Sequence, residues 1–430
     1  MIATPFTSDS EVIVSTFRIL VVEDSRFFSN LVKKAVIERT GAEVVTALTL
    51  AETRAAVEQA ETPFDLALVD VVLPDAPEGE AVSWLVEKGV SCVVFTGVFS
   101  EDLRERLLAQ RVLDYVIKDT PSSLDYLISL VERLRRNCDV KVLVVDDSKT
   151  ARTYVSTLLK SYKFQVVEAQ SAAAGMAAVD ADPAIRLVIT DYFMPEMDGV
   201  EMVRRMRIKH AADTLAIIGL SSGGGSALSA KFIKHGANDF LNKPFLPEEF
   251  FCRVTQNIRM LDMVAHLTDM ATRDALTGIH NRRYFFDVGA ALFASAKREH
   301  VSLTAAIIDV DLFKDVNDTY GHDAGDKVLR HVAVMLRRMC RESDVVVRFG
   351  GEEFAIMAVN MDEAKVQPFF EALRAAIEDE AIIHQKKRIP VTASFGVCHG
   401  IGQTLEGMLK CADEALYRAK ENGRNRVEIA

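Results

Sequence analysis

Short apolar runs alternate with stretches of helical period through the first three-fifths of the chain, and the alternation occurs twice. RILVVEDSRFFSNLVKKAV, from Arg18, returns as KVLVVDDSKTARTYVSTLL, from Lys141. Each is an apolar strand closing on two acids and a serine, followed by a helical pattern. Downstream, DLALVDVVLPD (Asp65 to Asp75) parallels RLVITDYFMPE (Arg186 to Glu196), VVFTG parallels IIGLSS, and YVIKD (Tyr115 to Asp119) parallels FLNKP (Phe240 to Pro244). Strands of this kind between helices predict a parallel sheet covered on both faces, with ligands gathering at the carboxyl ends of its strands.

After the second copy the pattern changes. Phe250 to Ala271 keeps a helical period and reads as a connecting stem. Leu303 to Val310 (LTAAIIDV) reads as a buried strand, and a helix begins near His322. DVVV and FAIMAV flank RFGGEEF and predict a hairpin with Gly350-Gly351 as a two-residue loop. That loop sets Phe349 opposite Glu352, Arg348 opposite Glu353 and Val347 opposite Phe354. ADEALYRAKENGRNRV predicts a helix closed by Gly423, with Lys420 in its last turn and Arg424 just beyond. The expected fold class is α/β throughout: two doubly wound parallel-sheet domains at 16–137 and 139–262, a stem at 250–272, and a third α/β domain at 271–430.

Composition narrows the function classes. With 430 residues, length alone suggests roughly three domains. A net charge of -11 argues against a general nucleic-acid or anionic-membrane binder. No basic residue precedes Arg18, so no signal peptide is expected, and the longest uncharged tract, Thr214 to Ala230, is too short and polar to insert in a membrane. Six cysteines without CxxC spacing fit reduced thiols, and the expected compartment is the cytoplasm.

In the second copy Asp146, Asp147 and Asp191 all fall at strand ends, where three carboxylates call for a hard cation such as Mg²⁺. Ser221 adds a hydroxyl and Lys243 a cation. The first copy offers Glu23, Asp24, Asp70, Thr96 and Lys118 in the same order, and the hydroxyl-to-lysine spacing is 22 residues in both. Such a set suits phosphoryl transfer onto an aspartate. A lone Asp-Asp pair is more often a helix N-cap; five elements repeated in order are not. The pattern resembles the receiver domains of two-component response regulators. The resemblance implies Asp70 and Asp191 as phosphoacceptors, Glu23/Asp24 and Asp146/Asp147 as metal acids, and a histidine kinase or phosphotransfer protein as donor. The first copy departs from it where Asp119, not proline, follows Lys118.

In the third domain Asp309 and Asp311 lie two apart and would share a face of a continued strand. Asp326 stands in the first turn of its helix, and Lys420 and Arg424 supply cations. Acids with cations suggest Mg²⁺-triphosphate chemistry, and no GxxxxGK[ST] is present to make it a Walker-type hydrolase. DALTGIHNRRYF, IDVDLFKDVNDTYGHDAGD, RFGGEEF and YRAKENGRNRV together resemble a GGDEF-family diguanylate cyclase domain in its GGEEF form, and two receivers before it resemble the PleD type of response regulator. The resemblance implies that Asp309, Glu352 and the Val310 carbonyl ligate Mg²⁺. It implies that Asn317 and Asp326 read guanine, Lys420 and Arg424 hold phosphates, Glu353 helps deprotonate the attacking 3′-hydroxyl, and Gly350 and Gly351 make room for the nucleotide. His322 reads as a local hydrogen bonder.

One domain has one metal set and one guanine reader, so joining two GTP into cyclic di-GMP implies a homodimer. RESD (Arg341 to Asp344) matches the position of the family's product-inhibition site, for which the resemblance implies a further arginine; this chain has Ala372 there, with Arg374 close by. The rival classes are a catalytically silent nucleotide receptor, against which the intact Asp309, Glu352, Glu353, Lys420 and Arg424 argue, and a transcription factor, for which no helix-turn-helix signal follows the receivers.

Overall fold

The structure is a computed structural model that describes residues 17–98, 105–107, 112–223, 226–299, 301–380, 382–385, 387–402 and 404–430. The chain divides into two compact units, Met1–Leu261 and Asp262–Ala430.

The first unit holds two five-stranded sheets. One comprises β1 (Arg18–Val22), β2 (Glu43–Ala47), β3 (Leu66–Val69), β4 (Cys92–Thr96) and β5 (Asp114–Ile117); the other β6 (Lys141–Val145), β7 (Gln165–Ala169), β8 (Ile185–Asp191), β9 (Ala216–Ser221) and β10 (Asp239–Asn242). Their orders, β2-β1-β3-β4-β5 and β7-β6-β8-β9-β10, are the same, and every pairing is parallel. This is the flavodoxin-like winding, whose ligand crevice opens at the carboxyl ends beside the first strand. The strands are apolar on both sides because helices cover both faces: Leu20, Leu68, Leu143 and Val188 are all within 2% of complete burial. Each such side chain contributes about 1.5–3 kcal/mol relative to exposure.

The helices Arg26–Thr40 and Lys149–Ser161 are N-capped by Ser25 and Ser148, whose hydroxyls accept from the Phe28 and Ala151 amides. The serine of each acid-acid-serine motif thus does the capping, which frees the acids before it for the crevice. The helix Pro247–Thr272 begins three residues before the predicted stem, and Phe250, Phe251, Val254, Ile258 and Leu261 pack into the core of the second sheet. Its first half is therefore a wall of that domain.

The second unit is built on β11 (His280–Asn281), β12 (Leu303–Val310), β13 (Val345–Gly350), β14 (Glu353–Val359), a small hairpin of β15 (Ile382–His384) and β16 (Lys387–Ile389), β17 (Ala393–His399) and β18 (Val427–Ile429). The main sheet runs β11-β13-β14-β12-β17-β18. β12 is antiparallel to both β14 and β17, and all eight of its residues are buried, since separate apolar cores lie on its two faces. Being central, it fixes whatever its end carries.

Two expectations are corrected here. The hairpin pairs Arg348 with Phe354 and Gly350 with Glu353, with a bulge between Arg348 and Gly350, so the loop is Gly351-Glu352. The extra residue, Phe349, removes the expected Arg348/Glu353 pair. Arg348 instead donates to Asp274 at 3.0 Å and to the Gly351 carbonyl at 2.7 Å. The second correction concerns β12, which ends at Val310: Leu312 takes a left-handed φ of 52° and Asp311 leaves the strand, so it does not continue the Asp309 face.

Candidate nucleotide and phosphoacceptor sites

In the first sheet Glu23, Asp70 and Lys118 each follow the last residue of β1, β3 and β5, and Thr96 ends β4. Lys118 Nζ lies 2.5 Å from both Glu23 Oε2 and Asp70 Oδ2, and Thr96 is fully buried. Carboxylate oxygens of Glu23, Asp24 and Asp70 all lie within 4.8 Å of one another. In the second sheet Lys243 Nζ bridges Asp146 Oδ2 at 2.9 Å and Asp191 Oδ1 at 2.7 Å, with Ser221 buried beside them. Asp147 is exposed, and the expected cluster of three carboxylates does not close there; among the described residues it closes only in the first copy. Two oxygens of the pair are already used: Asp191 Oδ2 accepts from the Phe193 amide at 2.8 Å and Asp146 Oδ1 from the Ser148 amide at 2.9 Å.

In the second unit, Asp309 near the end of β12 stands across from Glu353 of β14, and Lys420 Nζ lies 2.8 Å from Asp309 Oδ2. The Val310 amide donates to the Glu352 carbonyl at 3.3 Å, which ties the hairpin loop to the strand end. Burial holds the Asp309 carboxyl above its ordinary range against the pull of Lys420, and the charges of Glu352 and Asp311 add to the effect. Glu353 is raised by burial and then by Asp309. Neither Gly350 nor Gly351 has positive φ, so the turn does not demand glycine; a Cβ on Gly351 would meet open space. Asn317 sits on the helix Phe313–Tyr320, packed against Gly325 in the next helix, His322–Met339, and the half-buried Asp326 follows it. Arg424 is exposed, and among the described residues its guanidinium has no partner. The loop RESD closes on itself: Asp344 Oδ2 accepts from the Arg341 amide at 2.9 Å, while buried Asp344 Oδ1 has no hydrogen-bond partner among the described residues. Arg374 is bound to Glu371, Glu378 and Asn425, so it does not serve that loop.

Among the described residues only Glu23, Asp24 and Asp70 stand close enough together to fit a hard divalent cation as they are; the acids at the other two sites are of the oxygen-ligand type such a cation takes. Burial is the first cause raising Asp309, Glu353, Glu23 and Asp191. As pH rises from the ordinary carboxylate range to the raised values, each must ionise where charge is resisted, and stability falls. Mg²⁺ offsets that loss only when the acids are ionised. It is therefore expected to raise Tm in scanning calorimetry, more near neutrality than in mild acid; a Tm indifferent to Mg²⁺ near neutrality removes the fit.

The family model for the response regulator receiver domain matches residues 142–255, and that described as diguanylate cyclase, GGDEF domain, matches 271–426. A solved structure of a two-component system response regulator/GGDEF domain protein is 45% identical, with a TM-score of 0.50, and is covered completely by 57% of this chain. The chain belongs to the response regulator/GGDEF family. Among curated relatives of this family, the response regulator PleD of Caulobacter vibrioides is 32% identical over 67% of this chain and 65% of its own length. Diguanylate cyclase A of Treponema denticola is 35% identical over 41% of this chain and 50% of its own. The chain thus spans at most about two thirds of these relatives' lengths.

Within this GGDEF unit the roles of three residues were not foreseen from the sequence. Asp274 holds Arg348 and caps Thr277 through both its amide and its hydroxyl. Asp311 accepts from Thr392 Oγ1 at 2.8 Å, Ser394 Oγ at 2.7 Å and the Asn425 amide at 3.0 Å. Asn425 receives Arg374. Apart from Thr277, the partners lie 51 to 114 positions away, beyond any local pattern.

Proposed function

We propose that the chain is a phosphorylation-regulated diguanylate cyclase, converting two GTP into cyclic di-GMP and two pyrophosphates as a homodimer in the cytoplasm. The observation that carries this reading is the cluster at the hairpin loop: Lys420 paired with Asp309 at a central strand end, Glu353 opposite Asp309 in register, Glu352 beside them, and an Arg424 whose guanidinium has no partner among the described residues. Asp309, Glu352 and the Val310 carbonyl hold Mg²⁺ at the triphosphate; Lys420 exchanges part of its pairing with Asp309 for phosphate oxygen; Asn317 and Asp326 read the N–H edge of guanine, which adenine lacks. Glu353, raised by burial, is suited to take the proton of the 3′-hydroxyl. The relatives described as diguanylate cyclases support the same reaction.

We further propose residues 16–137 and 139–262 as two receivers, with Asp70 and Asp191 as phosphoacceptors served by a histidine kinase or phosphotransfer protein, 250–272 as the stem and 271–430 as the cyclase. Thr96 and Ser221 report the phosphoryl group, while Lys118 and Lys243 neutralise it. The lysine bridges already in place support this, since each links the acceptor to a metal acid. Dimerisation is supported by the stem helix, which leaves Met260, Met263, Leu267 and Met270 more than half exposed at the three-four-three spacing of a coiled-coil seam. Product inhibition at Arg341 and Asp344 is supported by the Asp344 oxygen that has no hydrogen-bond partner among the described residues. No helix among the described residues is long and apolar enough to cross a membrane.

GTP turnover with Mg²⁺, with and without beryllofluoride, and mass analysis of the product test the reading. The expected product is cyclic di-GMP, formed faster with beryllofluoride by the parent and equally in both conditions by an Asp70→Asn/Asp191→Asn double variant; added product slows the parent but not Arg341→Ala. GTP binding without turnover would favour the silent receptor instead.

A further inference from the structure

We propose that Arg374, acting through Asn425, is a positioning residue for the phosphate-holding Arg424, so that the helix Glu363–Asp379 shapes GTP binding without touching GTP. The proposal rests on the cyclase reading. Its starting point is the short sequence after the C-terminal helix Leu405–Glu421, where Gly423, Arg424 and Asn425 hold φ values of 108°, 61° and 47°. Glycine adopts left-handed backbone freely; two successive residues with side chains do so only where their surroundings over-determine it.

The surroundings are specific. The Arg424 amide donates to the Ala419 carbonyl at 3.0 Å, and the Asn425 amide to Asp311 Oδ2 at 3.0 Å. Asn425 is gripped at both ends of its side chain: Oδ1 accepts from Arg374 Nη1 at 2.8 Å and Nδ2 donates to Glu378 Oε1 at 2.9 Å. Arg374 is itself fixed by Glu371 Oε2 at 2.8 Å and Glu378 Oε2 at 2.7 Å, with 18% of its side chain exposed.

Asp311 completes the frame on the other side. It lies two residues past Asp309 and is held by Thr392 and Ser394, so the strand end carrying the metal acid and the turn carrying the phosphate cation share one anchor. Releasing Asn425 frees the backbone at Arg424 to relax toward ordinary φ, which swings its guanidinium away while leaving Asp309 and Lys420 in place. The loss falls on binding more than on the chemical step.

The test is steady-state GTP turnover and equilibrium GTP binding by full-length parent, Arg374→Ala, Arg424→Ala and the double variant. Arg374→Ala is expected to raise KM by about fivefold to tenfold with kcat within about twofold, and to add less than about twofold once Arg424 is already Ala. Asn425→Gly, which keeps the left-handed backbone accessible but removes the side chain, should reproduce the rise and make Arg374→Ala silent. Losses that multiply independently, or an Arg374→Ala KM equal to the parent's, overturn the positioning role while the cyclase reading stands. A parent that neither binds nor turns over GTP overturns both.

Discussion

Glu352→Gln is expected to lower cyclic di-GMP formation by about 10²–10³-fold while leaving the fold intact. The two effects separate because different parts of the residue perform them. The backbone carbonyl of Glu352 holds the Val310 amide, and an amide side chain does not disturb it. The carboxylate is half-buried and adds to the charge that raises Asp309. Removing it relieves that repulsion, so Tm should hold or rise slightly, but it also removes one of the acids that would hold the cation at the triphosphate. The guanine contacts proposed for Asn317 and Asp326 would be untouched, so GTP should still bind in excess Mg²⁺. Turnover above about a tenth of the parent's would show that Glu352 is not a metal ligand, and a collapse in Tm would show that its role is structural.

The contrast between side chain and backbone at Glu352 bears on what a linear reading can reach. The doubly wound parallel sheet of each of the first two domains was legible, because a parallel sheet buried on both faces leaves continuous apolar runs and because the run was written twice. That Glu23, Asp70 and Lys118, and Asp146, Asp191 and Lys243, would fall at strand ends was legible for the same reason. Pairing across the hairpin was not. A single bulged residue, Phe349, shifts the loop by one position and turns Arg348 from Glu353 to Asp274. Nor was the fate of Asp311, since a two-residue spacing implies a shared face only while the strand lasts, and the left-handed Leu312 ends that condition. Asp147 shows the same limit: it holds the position of Asp24, equally exposed, yet only Asp24 closes a three-acid cluster among the described residues, and the sequence pattern is alike in both copies. Sequence patterns carry periodicity, whereas these outcomes depend on where periodicity stops.

Gly325→Ala is the second substitution with a large expected effect, and it isolates guanine recognition from everything else. In an ordinary helix this change stabilises, because glycine loses more backbone freedom on folding than alanine does. Here the new Cβ would stand 2.0 Å from Asn317 Oδ1 and 3.1 Å from Phe313 Cζ, both across the junction between the helices Phe313–Tyr320 and His322–Met339. The Asn317 amide is polar, short and close to solvent, so it yields first by rotating away. KM for GTP should then rise by about tenfold to a hundredfold, the scale on which a missing hydrogen-bonding partner weakens recognition, while Tm stays within a few degrees of the parent's. Asp309, Glu352 and Lys420 lie outside the displaced contact, so kcat at saturating GTP should fall far less than KM rises. Preference for GTP over other purine triphosphates should shrink in the same variant, because of the two proposed guanine readers only Asp326 would be left in place. An unchanged KM would mean that Asn317 does not face the base, and the helix pair would then lose its place in the substrate site.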